Sequence, residues 1–273
     1  MGKFDGILLG SDLDATLLTN DKRISQRNRE AIQRFTAEGG AFTYITGRMP
    51  LGARTILDQL TPNVPIGCIN GGGIFDPQND CYVWTAALDD SAEELVSFVQ
   101  DRFPDVGIEL CGFYKAWFLN LTPLTEEHRR LERIPYVPVS SYAEVNEPMS
   151  KVLFVREADR LEELMQAIQA HPLADRFSFV QSTSQYYEMI PKGMSKGDVL
   201  LRLADLLGIS RSRTVAVGDN NNDLTMLQMA ALGVAVANAT PQAKAAADLV
   251  LDVTNEEDAV AELICRLEKQ LPF

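Results

Sequence analysis

The stretch "GSDLDATLL", residues 10–18, decides how the chain folds. It closes an apolar run that begins at Phe4, and two aspartates, Asp12 and Asp14, stand one residue apart where that run ends. An apolar run bounded by acidic and turn-forming residues predicts a buried strand over Phe4–Ser11. An extended backbone points residues i and i+2 to the same side, so both carboxylates face one way and need a counter-charge. Ala15 stands where a chain turning off a strand would often use Gly. A left-handed backbone costs Ala about 1–2 kcal/mol, so a right-handed or extended conformation is expected there.

Outward from this stretch, strand and helix alternate. Ser25–Glu38 is predicted as a helix with Ser25 as N-cap and Gly39-Gly40 as stop. Ala41–Thr46 is a second strand, Leu51–Leu60 a helix and Ile66–Ile69 a short third strand. Continuous apolar strands separated by helices indicate a parallel sheet covered on both faces. The pattern changes from Cys81 to Ile190, where strands are more amphipathic and helices fewer. One helix opens at Ser91 with Glu94 as a capping box, and another carries Leu161, Leu164, Met165 and Ile168 at helical spacing. After Pro191 the first pattern resumes with a helix at Ser195–Leu207, a strand at Thr214–Val217, a helix over Asn222–Ala231, a strand at Val234–Ala237 and two last helices, the final one near Glu256–Lys269. The expected architecture is an α/β, Rossmann-like parallel-sheet core domain, residues 1–82 and 190–273, split by an inserted α+β cap over residues 83–189.

Composition narrows the partners. The chain has 273 residues and a formal net charge of −13, which argues against nucleic acid or an anionic membrane as a general partner. No stretch reaches the roughly 18 uncharged apolar residues of a membrane span, and the N-terminus does not read as a signal peptide. Cys68, Cys81, Cys111 and Cys265 form no CxxC pair, and His128 and His171 are the only histidines. A Cys/His zinc site is therefore not expected; free thiols in a reducing cytoplasm are.

In an open parallel sheet, ligands bind outside the carboxyl ends of the strands. Strand one ends in Asp12-Leu13-Asp14, strand two in Thr46-Gly47-Arg48, the Thr214–Val217 strand in "GDNNND" (218–223), and Val234–Ala237 in Asn238. The acidic groups, Asp12, Asp14, Asp219 and Asp223, form a hard-oxygen set without His or Cys, suited to Mg²⁺, which usually completes its shell with water and phosphate oxygens. Each carboxylate alone also reads as a helix cap or turn former; four on strand ends that the fold brings together read as a ligand set. Lys196 sits in a helical first turn, where the dipole disfavours a cation. It reads either as a solvated lysine or as a contact to an anion and a nearby aspartate. Thr46 and Arg48 also fit as a plain strand-end residue and a solvated charge, and Asn238 as the start of the turn before Thr240.

These residues carry a resemblance. "DLDATLL" resembles the first motif of the haloacid dehalogenase-like phosphatase superfamily, Thr46 in "ITGR" its second, Lys196 in "PKGMSKGDVL" its third and "GDNNNDLTML" its fourth. Order and spacing match across nearly the whole chain, and the insertion between the second and third motifs is similar to the cap of the Cof-type branch, as are "INGGG" (69–73) and "GVAVANAT" (233–240). The resemblance implies a Mg²⁺-dependent phosphatase acting on a small phosphorylated metabolite, such as a sugar or polyol phosphate. Asp12 would be the nucleophile that forms an aspartyl phosphate, and Asp14 the general acid and then base. Asp12, the Asp14 carbonyl and Asp219 would hold the ion, with Asp223 completing or orienting its shell. Thr46, Lys196 and Asn222 would bind phosphoryl oxygens, with Gly47, Arg48 and Asn238 as weaker carry-overs. The one departure is Ala15, where the family usually has Gly. Two alternatives share these residues: a mutase or other phosphotransferase, and a non-catalytic phospho-signalling module. The inserted cap and Asp14 argue against the second. Oligomeric state is not readable from the sequence.

Overall fold

The computed structural model describes residues 2–270. The strands, in chain order, are β1 (Leu8–Ser11), β2 (Ala41–Tyr44), β3 (Ile66–Cys68), β4 (Gly73–Asp76), β5 (Cys81–Thr85), β6 (Gly107–Cys111), β7 (Ala116–Asn120), β8 (Lys151–Val155), β9 (Phe177–Gln181), β10 (Tyr186–Pro191), β11 (Thr214–Gly218), β12 (Leu232–Ala235) and β13 (Leu249–Val250). The chain divides into two compact units, Met1–Gly47 with Arg54–Trp84 and Ser195–Phe273, and Arg48–Ala53 with Thr85–Met194.

The first unit is built on a parallel sheet in the order β13-β12-β11-β1-β2. A parallel bridge from Ile45 to Gly67 brings β3 alongside β2. Leu8, Leu9, Phe42, Tyr44, Val215 and Val217 are all buried, the pattern that a sheet covered on both faces demands. Its covering helices start where their caps dictate. Ser25 accepts from Asn28 N at the head of Gln26–Ala37, Ser195 from Asp198 N at Lys196–Leu206, and Thr240 from Ala243 N at Pro241–Ala246. From β1 the chain builds outward through β2, while β11, β12 and β13 run outward on the other side. The order therefore reverses between β1 and β11, which pair directly with Ser11 opposite Val217. Residues just past these two strands lie at the switch point, where ligands of such sheets bind.

The second unit holds an antiparallel sheet in the order β7-β6-β8-β10-β9. One face alternates Ile108, Leu110, Val152, Phe154, Tyr187 and Met189 into a core shared with the helices Ala92–Arg102 and Leu161–Gln169. The intervening residues, Glu109, Cys111, Lys151 and Glu188, take the opposite face and are also buried.

Three local expectations need correction. The strand expected over Phe4–Ser11 is regular only from Leu8, because Ile7 N–H bonds back to Phe4 O in a turn. Ser91 makes no capping box: its N–H and hydroxyl both go to the Asp89 carboxylate, which leads the helix instead. The helix expected over Asn222–Ala231 is a tight turn at Asn221–Asp223 followed by helix Leu224–Met229. A further helix, Pro123–Leu131, had no apolar stripe to reveal it; Thr122 caps it and Glu126 ties to Arg129 and Arg130.

Candidate active site

The site grows from the two central strand ends. Past Ser11 the chain enters a wide turn over Leu13–Leu17, closed by Leu18 N–H to Leu13 O at 2.8 Å. Ala15 at its crest has φ 55° and ψ 12°. The expectation of a right-handed or extended Ala15 is wrong: the backbone there is left-handed, at a cost of about 1–2 kcal/mol. The surroundings over-determine it, since Asn238 Nδ2 donates to Ala15 O at 2.7 Å and Asn238 Oδ1 accepts from Asn255 N at 2.9 Å. Asn238 thus braces the turn with both ends of its amide.

Past β11, Gly218 lets the chain fold tightly over Asp223. A Cβ at Gly218 would lie 2.6 Å from the Asp223 carboxyl carbon. Asp223 Oδ2 accepts from the N–H groups of Asp219 (2.8 Å) and Asn220 (3.0 Å), so this carboxylate is fixed by its own loop. Asp219 Oδ1 accepts from Thr16 Oγ1 at 2.8 Å, which joins the loop to the first turn. Asp12, Asp219 and Asp223 are all buried, and each offers an oxygen within 4.8 Å of the others'.

Lys196 enters this cluster from the first turn of its helix. Its Nζ donates to Asp12 Oδ1 at 2.7 Å and to Asp223 Oδ1 at 2.6 Å, and its side chain is fully buried. The reading of Lys196 as a solvated lysine is excluded. Burial alone would lower its pKa, but the Asp12 and Asp223 carboxylates raise it, so the group stays an ammonium. One ammonium does not balance three carboxylates. Burial, with Asp223 adding to it, raises Asp12 well above the usual carboxylate range. Burial and the Asp223 charge likewise push Asp219 up to about 7. A buried oxygen-only donor set with too much negative charge fits a hard divalent cation such as Mg²⁺.

Asp14 has a different environment. Its half-exposed carboxylate lies 2.7 Å from Lys22 Nζ and is not one of the clustered three. Thr46 N–H donates to Gly67 O at 3.0 Å, and Thr46 O accepts from Asn70 N at 3.1 Å, so the second-motif strand end is held by the turn after β3. Asn222 Nδ2 donates to Asn70 Oδ1 at 3.2 Å, and Gly47 lies against the same Asn70 side chain. Arg48 belongs to the second unit, where it pairs with Glu132 at 2.5 Å and donates to Gly52 O at 3.2 Å. Thr16, Lys22 and Asn70 were not singled out from the sequence. Thr16 lies inside the quoted first motif and Asn70 inside "INGGG", so their motifs were visible but their bonding was not.

The chain belongs to the haloacid dehalogenase-like hydrolases, whose family pattern it matches over residues 9–264. Among its relatives, it is 29% identical over 276 residues to the 5-amino-6-(5-phospho-D-ribitylamino)uracil phosphatase YitU of Bacillus subtilis, covering 94% of this chain and 96% of that protein. It is 26% identical over 283 residues to phosphatase YwpJ of the same organism, covering 95% of this chain and 99% of that one. A solved haloacid dehalogenase-like hydrolase from Bacteroides thetaiotaomicron superposes with a TM-score of 0.82 at 28% identity, covering 97% of this chain and 99% of that one.

Proposed function

We propose that this protein is a cytoplasmic, Mg²⁺-dependent phosphatase that hydrolyses a small phosphorylated metabolite, a sugar or polyol phosphate, through an aspartyl phosphate on Asp12. The observation that carries the reading is the buried Lys196 bridging Asp12 and Asp223 beside Asp219. A structural salt bridge needs one carboxylate, and the surplus negative charge here is what a divalent cation would use, which in turn would attract an anionic phosphoryl group. The ribitylamino phosphate in the name of one relative supports a phosphorylated polyol chain as substrate class.

In this mechanism an Asp12 carboxylate oxygen attacks phosphorus, and the bond from phosphorus to the substrate oxygen breaks. Asp14 gives its proton to the departing alkoxide. It then takes a proton from water as that water attacks phosphorus, which releases phosphate and restores Asp12. The half-exposed position of Asp14 suits a group that exchanges protons with substrate and solvent. Lys196 aligns Asp12 and opposes the rise that burial and Asp223 impose on its pKa, and with Thr46, Gly47 and Asn222 it binds phosphoryl oxygens. Mg²⁺, held by Asp12, Asp219, Asp223 and the Asp14 carbonyl, would neutralise charge between nucleophile and phosphate.

Purified protein screened against sugar, polyol, nucleotide and aryl phosphates with Mg²⁺ should release free phosphate, and EDTA should stop it. An isomerised sugar phosphate as sole product would replace hydrolysis by phosphoryl transfer. No turnover of any ester by well-folded protein with Mg²⁺ would overturn the reading.

A further inference from the structure

After β3 the backbone passes through three consecutive positive φ angles, Ile69 at 56°, Asn70 at 49° and Gly71 at 104°. Such a run is unfavourable for a β-branched residue and persists only where neighbours enforce it. Two enforce it here. Asn70 N–H bonds to Thr46 O at 3.1 Å, and Gly71 packs so closely on Ser195 that a Cβ would lie 2.2 Å from its carbonyl oxygen. The turn is therefore wedged between the residues that carry Thr46 and Lys196.

What this geometry delivers is the Asn70 side chain, 1% exposed, against Gly47. A Cβ at Gly47 would lie 2.9 Å from Asn70 Nδ2. Asn70 Oδ1 accepts from Asn222 Nδ2 at 3.2 Å, yet Asn70 Nδ2 has no hydrogen-bond partner among the described residues. Buried donors are nearly always satisfied, so an orphaned one is informative about what the site takes. Lys196 spends two of its three donors on Asp12 and Asp223.

We infer that Asn70 is a further anion-binding residue of this site: its Nδ2 donates to a phosphoryl oxygen, while its Oδ1 fixes the orientation of the Asn222 amide. The inference rests on the phosphatase reading of the same residues. The ligand class is a tetrahedral oxyanion, a phosphate monoester or phosphate itself. The alternative is that Asn70 is present only because Asn tolerates a left-handed backbone.

Two substitutions separate these roles in the full chain. Asn70→Asp keeps the size and the left-handed tolerance but replaces the donor with an anionic acceptor. Asn70→Gly keeps the backbone freedom and removes the amide without adding charge. Inorganic phosphate binding is measured by calorimetry with Mg²⁺, alongside KM and kcat for an aryl phosphate and the thermal midpoint. Phosphate affinity is expected to weaken at least about tenfold in both variants, the loss of one hydrogen bond to a charged group, with KM rising at least as much as kcat falls. Wild-type phosphate affinity in either folded variant would overturn the role of Asn70 and leave the phosphatase reading standing. If the wild-type chain itself neither bound phosphate nor hydrolysed an ester, both would fall.

Discussion

The molecule buries two lysines among carboxylates, one in each unit, and they differ in what they balance. In the second unit Lys151 Nζ lies 2.7 Å from Glu188 Oε2, and Glu109 Oε2 lies 3.0 Å from His128 Nδ1. Each acid has a nitrogen partner within 3.0 Å, with Glu109, Lys151 and Glu188 on three adjacent strands and His128 on the helix Pro123–Leu131. Burial opposes the charge on Lys151, but Glu188 more than compensates and its pKa is raised. In the first unit Lys196 faces Asp12 and Asp223, and Asp219 adds a third carboxylate that is in no salt bridge among the described residues. In the first arrangement each acid has its own nitrogen partner. The second leaves two carboxylates, Asp12 and Asp219, held above their ordinary pKa. Burial alone does not mark a functional cluster; an imbalance of charge that the chain keeps does.

The largest effect that could break this contrast is on turnover. Asp12→Asn should reduce ester hydrolysis by at least about 10³-fold with Mg²⁺ present, as expected for loss of a nucleophile; a steady-state rate near wild type would contradict it. Lys196→Met should lower kcat by roughly 10²-fold or more by removing a charge aimed at the reacting group. Lys151→Met should act on folding instead, costing about 3–5 kcal/mol in denaturant unfolding because the buried Glu188 loses this ion pair. Adding Glu188→Leu should recover most of that loss, since a well-packed apolar pair replaces an ion pair without penalty. Failure of the double variant to recover would show that Lys151 serves something beyond Glu188.

Metal addition should raise the thermal midpoint of the wild-type chain. The gain is about 2.7 kcal/mol when Mg²⁺ is at 100 times its dissociation constant, and it should vanish in Asp219→Asn. The smallest effect is on pH dependence. Asp219, raised to about 7, keeps a proton in the folded state that the unfolded chain releases near its ordinary value of 3.8. Without metal, its contribution makes stability fall as pH rises between roughly 4 and 7 and then level off. Asp12 acts in the same direction. Thermal midpoints of Asp219→Asn should show a shallower decline over that window; an identical slope would mean that Asp219 is not the titrating group.

Much of this site was legible because its chemistry sits at strand ends that a parallel sheet brings together. Asp12, Asp219 and Asp223 are 207 to 211 residues apart or four apart in sequence, yet apolar strands and a switch in strand order bring them together. The bonding between them was not legible. That Lys196 bridges two aspartates depends on the depth at which its helix packs. That Asp14 turns to Lys22 depends on a turn whose residues carry no strong signal. Ala15 shows the limit most clearly: local propensity favoured a right-handed or extended backbone, and the closure of the turn together with Asn238 outweighed it. The helix Pro123–Leu131 was hidden for the opposite reason, since local capping and ion pairs sustain it without an apolar stripe.

The central claim is that Asp12 is the surplus carboxylate that attacks phosphorus, with Asp14 needed to release the product. An Asp14→Asn variant tests it directly, because an aryl phosphate has a leaving group that needs little protonation while the second step still lacks its base. After mixing with aryl phosphate and Mg²⁺, acid quenching and peptide mass analysis should find a phosphoryl group on the peptide carrying Asp12. A phosphoryl group on any other residue, or undiminished phosphate release by this variant without label on Asp12, would contradict the account.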